Sequence, residues 1–263
     1  MRFTKMHGLG NDYLYVYGEV PENIEELSIK LSERHFGAGS DGMIYICSSE
    51  VADFKMRIFN ADGSEAKMCG NGIRCVGKYV YDKGYTDKTN LDIETLSGIK
   101  KLSLTVSNGK VKSVSVNMGK AEVSEEINLQ VGLTDIMTTP VSMGNPHAVT
   151  FVKSIDEAPL YELGPQIERH SDFPGGVNAE FVEVIDQGTL RMRVWERGSG
   201  VTMACGTGAC ASVAAAIHHG YCSFDSDVSV ILDGGTLKIK IAPDYTVTMT
   251  GPAEFVYEGE TIE

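Results

Sequence analysis

A short pattern occurs twice in this chain, about half its length apart, and each copy sets a cysteine at the mouth of a helix. The first copy reads Met68-Cys69-Gly70-Asn71-Gly72, with its helical run closing at Gly84-Tyr85. The second reads Ala204-Cys205-Gly206-Thr207-Gly208 and closes at Gly220-Tyr221. Cysteine to closing glycine is 15 residues in both. Other landmarks recur at nearly the same offset: Gly10-Asn11 returns as Gly144-Asn145, and Glu33-Arg34-His35 as Glu168-Arg169-His170. Four matches in one order and almost one register mark an internal duplication. Its period is far too long for a solenoid, so it predicts two pseudo-symmetric domains of the same fold, related by a pseudo-twofold.

The apolar rhythm lapses within 118–135, which divides the chain into 1–120 and 121–263, with the last few residues free to return to the first domain. Short alternating segments predict strands at 14–17, 55–59, 101–106 and 111–116, then at 149–152, 190–195, 228–232 and 237–241. One amphipathic helix per half is expected around 22–35 and 157–170, the first flanked by Pro21 and Gly37. The segment Ala209-Cys210-Ala211-Ser212-Val213-Ala214-Ala215-Ala216-Ile217 is apolar or small on every side, the mark of a helix buried all round. The fold class that follows is α/β (α+β), each half a β-rich wrap around a central helix.

A net charge of −13 disfavours nucleic acid and anionic membranes, both of which attract basic surfaces. No run approaches transmembrane length, and Met1-Arg2-Phe3-Thr4-Lys5-Met6-His7 lacks the apolar core of a signal peptide. A cytoplasmic protein is therefore expected, and the sequence is compatible with a homodimer. In that compartment the six cysteines are expected as thiols, and their spacings fit no zinc site. Cys47, Cys75, Cys210 and Cys222 are read as buried, inert thiols.

Two thiols in equivalent settings suggest a matched pair of acid/base groups. Inverting a stereocentre without a cofactor takes one group to remove a proton and a second, opposite, to return it. A helix N-terminus brings a thiol pKa down toward neutrality through its free N–H groups and dipole. The same N–H groups, uncrowded where glycines follow, can hold a substrate carboxylate. Gly70, Asn71 and Gly72, with Gly206, Thr207 and Gly208, fit that second role. One thiolate and one thiol are expected at rest, with coupled titrations.

The segments Met6-His7-Gly8-Leu9-Gly10-Asn11-Asp12, Phe59-Asn60-Ala61-Asp62-Gly63-Ser64-Glu65, Cys69-Gly70-Asn71-Gly72-Ile73-Arg74-Cys75, Met143-Gly144-Asn145-Pro146-His147, Glu196-Arg197-Gly198 and Ala204-Cys205-Gly206-Thr207-Gly208-Ala209-Cys210 closely resemble the diaminopimelate epimerase family. The resemblance covers essentially the whole chain. It implies two α/β domains closing over substrate and interconversion of LL- and meso-2,6-diaminopimelate without cofactor or metal. Cys69 and Cys205 become the acid/base pair. Asn11, Asn60, Asn145, Asn178, Glu196 and Arg197 become substrate ligands, with the amides of Gly70-Asn71 and Gly206-Thr207 taking the α-carboxylate. His147 and Glu196 would adjust the protonation of the thiols. Asn side chains both donate and accept, and Arg197 can grip the distal carboxylate bidentately. One departure is Gly42, where some relatives carry a Gln in the substrate site.

Another cofactor-independent amino-acid racemase, for proline or histidine, would keep both cysteines without the distal-carboxylate grip, which Arg197 and the Asn set disfavour. An isomerase of the phenazine-pathway type on the same fold should lack the cysteine pair. A metal-binding protein would need other spacings.

Overall fold

A computed structural model of the chain describes residues 1–262. Contacts divide it into two compact units, Met1–Val116 with Gly251–Glu263, and Asn117–Thr250. The break thus falls between Val116 and Asn117, and the C-terminal segment belongs with the first unit.

The first unit runs β1 (Arg2–Gly8), β2 (Asn11–Tyr17), α1 (Ile24–Ser32), β3 (Gly42–Cys47), β4 (Phe54–Asn60), β5 (Glu65–Ala66), α2 (Gly70–Asp82), β6 (Asn90–Thr95), β7 (Gly98–Ser107) and β8 (Lys110–Lys120), whose last residues cross the break. Then come β9 (Glu122–Val123) and β10 (Ile127–Val131). The second unit repeats the order with β11 (Thr134–Ser142), β12 (Pro146–Val152), α3 (Leu160–Glu168), β13 (Asn178–Asp186), β14 (Thr189–Glu196), β15 (Gly200–Val201), α4 (Gly206–His218), β16 (Val228–Leu232), β17 (Gly235–Ile241) and β18 (Thr246–Gly251). A last strand, β19 (Glu254–Glu260), lies in the first unit.

The pairings repeat as well. β1–β2, β3–β4, β4–β5, β6–β7 and β7–β8 are antiparallel, while β2–β3 and β4–β6 are parallel. Each has its counterpart of the same sense ten strands on, from β11–β12 to β17–β18. Even the outer edge repeats. The start of β11 forms a hairpin with β10 that has no counterpart among the described residues of the first unit, but β1 takes β19 as its second partner, and the end of β11 takes β9. Both partners follow the last strand of the opposite half in sequence, so each unit's sheet is completed by chain that comes after the other half.

The two short helices cover their sheets. Ile24 and Leu31 of α1 pack with Phe3, Leu14, Met43, Tyr45 and Phe59, and Leu160, Leu163 and Ile167 of α3 pack with Ala148, Ala179, Phe181 and Trp195. Each fully buried aliphatic of this kind stabilises by roughly 1.5–3 kcal/mol. Both helices are shorter than the sequence pattern indicated. The chain folds back after α1 through Ala38 N–H and Gly39 N–H to the Leu31 carbonyl, and α3 carries Pro165 within its span.

The second helix of each unit is the core. Every residue of α4 from Gly208 to Ile217 is buried, and it touches β9, β11 to β14, β16 and β17. In α2 the residues 71–80 are buried, including Arg74 and Lys78. Lys78 is tolerated there because its ammonium reaches Asp82 at 2.9 Å and the Val111 carbonyl at 2.6 Å. Both helices stop the same way. Gly84 and Gly220 take positive φ, and the following tyrosine N–H returns to the carbonyl five residues back. This explains the recurring Gly-Tyr pair. Among the described residues no helix is long and apolar enough to cross a membrane.

Candidate active site

Each repeated cysteine is the N-cap of its central helix. Cys69 and Cys205 have extended backbones, at φ −137° and −114°, and each sulfur accepts the N–H three residues on, from Gly72 at 3.2 Å and from Gly208 at 3.3 Å. Sulfur here does what a serine or aspartate oxygen does at an ordinary N-cap. The consequence is chemical: a developing thiolate points at free N–H groups and the positive end of the helix. Side chains at 72 and 208 would crowd this. A Cβ on Gly72 would stand 3.4 Å from the Cys69 sulfur and 2.6 Å from Ile44, and on Gly208 it would stand 3.1 Å from the Cys205 sulfur and 2.8 Å from the Glu180 carboxylate. Among the described residues all six cysteines are free thiols, and no group of three His, Cys, Asp or Glu could hold a metal.

At Cys69 the side chains hydrogen-bonded to the sulfur are neutral. Its thiol donates to Asn11 Oδ1 at 3.4 Å, the Tyr13 hydroxyl hydrogen-bonds the sulfur, and Asn71 Nδ2 reaches Asn11 Oδ1 at 3.4 Å. Asn11 is itself oriented by Asp41, which takes its Nδ2 at 2.7 Å and the Asp12 N–H at 3.0 Å. Asp41 in turn is held by Arg34 at 2.8 Å. Burial raises the Cys69 pKa from its ordinary value, opposed by the Gly72 and Asn71 N–H groups, Tyr13 and the Arg74 charge.

Around Cys205 the neighbours are ionisable. His147 Nδ1 and Glu180 Oε1 lie 2.6 Å apart, both side chains fully enclosed. His147 Nε2 and Glu180 Oε2 have no hydrogen-bond partner among the described residues. Burial pushes the Glu180 carboxyl up, and the His147 contact pulls it back. Burial first, then the charges of Glu196 and Glu180, push the Cys205 thiol well above its ordinary value, against Thr207 and the Gly208 N–H. The expectation of thiols lowered toward neutrality is therefore corrected for both cysteines: desolvation outweighs the helix terminus in this structure.

The remaining residues singled out in the sequence are placed as follows. Gly70 and Gly206 open the two helices, followed by Asn71 and Thr207. Asn145 Nδ2 reaches the Thr207 hydroxyl at 3.3 Å, which in turn lies 3.6 Å from the Cys205 sulfur. Asn178 is buried and ties three segments, donating to the Pro146 carbonyl at 3.2 Å and accepting the Arg197 N–H at 2.8 Å. Glu196 ends β14 and accepts the Thr202 hydroxyl at 2.5 Å. Arg197 is exposed, its Nη1 on the Gly175 carbonyl at 2.8 Å. Asn60 ends β4 and its amide serves the 60–64 turn through Ser64 Oγ at 3.1 Å. Gly42 has φ +152°, and a Cβ there would fall 2.1 Å from the Phe59 carbonyl oxygen, so no glutamine fits this backbone.

Sequence reasoning missed Tyr13, Asp41 and Glu180. A glutamate inside the apolar run Asn178-Ala179-Glu180-Phe181-Val182 was the one available signal for the last.

A family model for diaminopimelate epimerase matches residues 3–124 and 139–256. The chain is 53% identical to a diaminopimelate epimerase of Acetivibrio thermocellus over 99% of its own length and 98% of the relative's, and 52% identical to one of Methanococcus maripaludis over 99% of both. Among solved structures it superposes on a PhzF-family phenazine biosynthesis protein of Bacillus anthracis with TM-score 0.81 at 18% identity, covering 100% and 99% of the two chains. A probable proline racemase of Agrobacterium radiobacter superposes at 0.74 and 17%, covering 99% and 92%. These two likenesses establish the shared fold of β-wrapped helices. At half identity end to end, with both cysteine motifs inside the matched segments, the chain belongs to the diaminopimelate epimerase family.

Proposed function

We propose that the protein is a diaminopimelate epimerase, an isomerase that interconverts LL- and meso-2,6-diaminopimelate in the cytoplasm, on the route to lysine and cell-wall precursors. The observation that carries this reading is the conjunction of full-length family membership with two free thiols, each N-capping one of two duplicated central helices. One sulfur removes the α-proton as thiolate and the other, as thiol, donates a proton to the resulting carbanion. The roles exchange with reaction direction, and no cofactor is required. The two units are read as copies of one ancestral domain, each contributing one sulfur.

The N–H groups at the starts of α2 and α4 take the α-carboxylate, whose negative charge their partial positive charge complements. Asn11 and Asn71 in the first unit, and Asn145 and Thr207 in the second, flank the two sulfurs. Asn60, Asn178, Glu196 and Arg197 serve the distal end of the substrate. Asn178 acts there by fixing the backbone at Arg197, and the exposed guanidinium, whose Nη1 also donates to the Gly175 carbonyl, can meet a carboxylate bidentately. Of the thiols, Cys69 is the easier to ionise, because the carboxylates of Glu196 and Glu180 oppose charge on Cys205.

The test is α-proton exchange in deuterated water without added cofactor, comparing LL-diaminopimelate with proline. Exchange and epimerisation of diaminopimelate alone are expected. Exchange of proline in preference would overturn the substrate assignment and leave the two-thiol chemistry standing.

A further inference from the structure

Glu168, the last residue of α3, has no part in the acid/base chemistry, yet its carboxylate straddles the segment that carries Glu196 and Arg197. Oε2 accepts the indole N–H of Trp195 at 2.7 Å, and Oε1 accepts the backbone N–H of Gly198 at 2.9 Å. One carboxylate therefore pins the residue before this dipeptide and the residue after it. The tip is otherwise closed by the Ser199 N–H on the Glu196 carbonyl at 3.1 Å, and by Asn178 Oδ1 on the Arg197 N–H. Glu168 is only 9% exposed, and its carboxyl is held below the ordinary range, first by the Trp195 bond and then by the Gly198 N–H and the charges of Arg169 and Arg197. Its own backbone carbonyl takes the Val177 N–H at 3.1 Å, which anchors the clamp to the chain entering β13.

The first unit shows that the fold does not need this. α1 and α3 are both nine residues long and end at Ser32 and Glu168, and the Ser32 carbonyl takes the Ser40 N–H as the Glu168 carbonyl takes that of Val177. At Ser32 the side chain only accepts the Ser40 hydroxyl at 3.2 Å. The end of β4 is pinned one turn earlier, by Ser28 Oγ on the Phe59 and Asn60 carbonyls. Glu33, the counterpart of Glu168 in the sequence repeat, is exposed and accepts the His35 N–H at 3.0 Å, so neither residue at the end of α1 clamps the loop after β4 as Glu168 clamps the loop after β14. We infer that Glu168 is a positioning residue for substrate recognition, holding Glu196 and Arg197 in register for the distal end of the substrate; this rests on the function proposed above.

The two bonds use different oxygens, and Glu168→Gln turns one of these acceptors into an NH2 donor, so in this geometry one bond is lost. Trp195 is the sole tryptophan of the chain, so its emission reports the clamp directly. In Glu168→Gln we expect shifted Trp195 emission, faster trypsin cleavage after Arg197, KM for LL-diaminopimelate raised about tenfold, and kcat within about threefold. Trp195→Phe, which loses the indole bond but keeps that of Gly198, should raise KM by about two- to threefold. It serves as the test if Glu168→Gln does not fold. Ser32→Ala should change none of these. Shifted emission and faster cleavage with unchanged KM would overturn the inference, as would equal losses of kcat and folded protein without a change in KM. Wild-type protein inert toward diaminopimelate would instead refute the function on which it rests, whatever the cleavage rates.

Discussion

The Cys69 sulfur takes the Tyr13 hydroxyl, and Ile44 borders Gly72 beside it; in the second unit Glu180 borders Gly208 and holds His147. The match is structural. Ile44 and Glu180 border the equivalent glycines 72 and 208, and the registers Leu14–Met43 and Ala148–Ala179 then set Tyr13 opposite His147. The backbones repeat in the pairings from β1–β2 to β7–β8, while the groups that set proton affinity do not. Duplication preserved the scaffold that aims a sulfur at a helix N-terminus, and divergence set the carboxylates of Glu196 and Glu180 against charge on Cys205. A reaction that needs one base and one acid benefits from that inequality.

The comparison breaks first if the halves do not both act. Cys69→Ala and Cys205→Ala should each lower α-proton exchange by at least about 10²–10⁴-fold, the usual contribution of a positioned acid or base. Cys75→Ala and Cys210→Ala should retain most of the rate. Full activity with only one of the two capping cysteines would sink the two-thiol reading.

Transplanting the second half's carboxylate into the first sharpens it. Ile44→Glu buries an unpartnered acid beside Gly72 and should cost about 3–5 kcal/mol in urea unfolding at pH 7. Adding Tyr13→His supplies the partner that Glu180 has and should recover part of that loss. No recovery in the double variant would mean the two positions are not equivalent.

Thiol reactivity against pH gives a smaller, graded effect. Both cysteines are raised, so the thiolate of each is scarce at the pH where a free cysteine reacts and grows as pH increases. Iodoacetamide mapped by mass spectrometry should label Cys69 at lower pH than Cys205. Glu196→Gln removes the largest charge opposing the Cys205 thiolate and should narrow the gap. Simultaneous labelling in the wild-type protein would contradict the inequality.

The smallest effect should be the same in both halves. Gly84 and Gly220 have positive φ and open space where a Cβ would go. Alanine at either should cost only backbone strain, about 1–2 kcal/mol. Unequal losses would show that the two helix ends are not equivalent after all.

Much of this was legible in the sequence for reasons that differ by element. Val228–Leu232 alternates buried and less buried residues and was read at its observed ends. Gly42–Cys47 was missed because its first five residues are buried on both faces, leaving no alternation to read. Glu254–Glu260 was missed for the opposite reason, being mostly exposed. The cysteines stood out through repetition, and the Asn, Glu and Arg set through resemblance. Glu180 did not, because its meaning depends on the parallel register of β12 with β13, which brings His147 and residue 180 together across 33 positions of chain. The raised thiols escaped notice for a related reason: a helix N-terminus is visible in a motif, whereas desolvation depends on everything packed around it.

The edge pairing of β19 with β1 has a consequence for synthesis on the ribosome. Residues 2–8 are made well before the strand that covers their outer edge, and the Thr261 N–H closes on the Met1 carbonyl at 2.9 Å only afterwards. The first unit thus waits with an open edge through translation of the whole second unit, whose own edge strand, β9, is already made before β11 emerges. Order of birth and order of completion are reversed. A released chain truncated before residue 254 should present the outer edge of β1 as an unpaired strand, while its second unit keeps its edge partner β9.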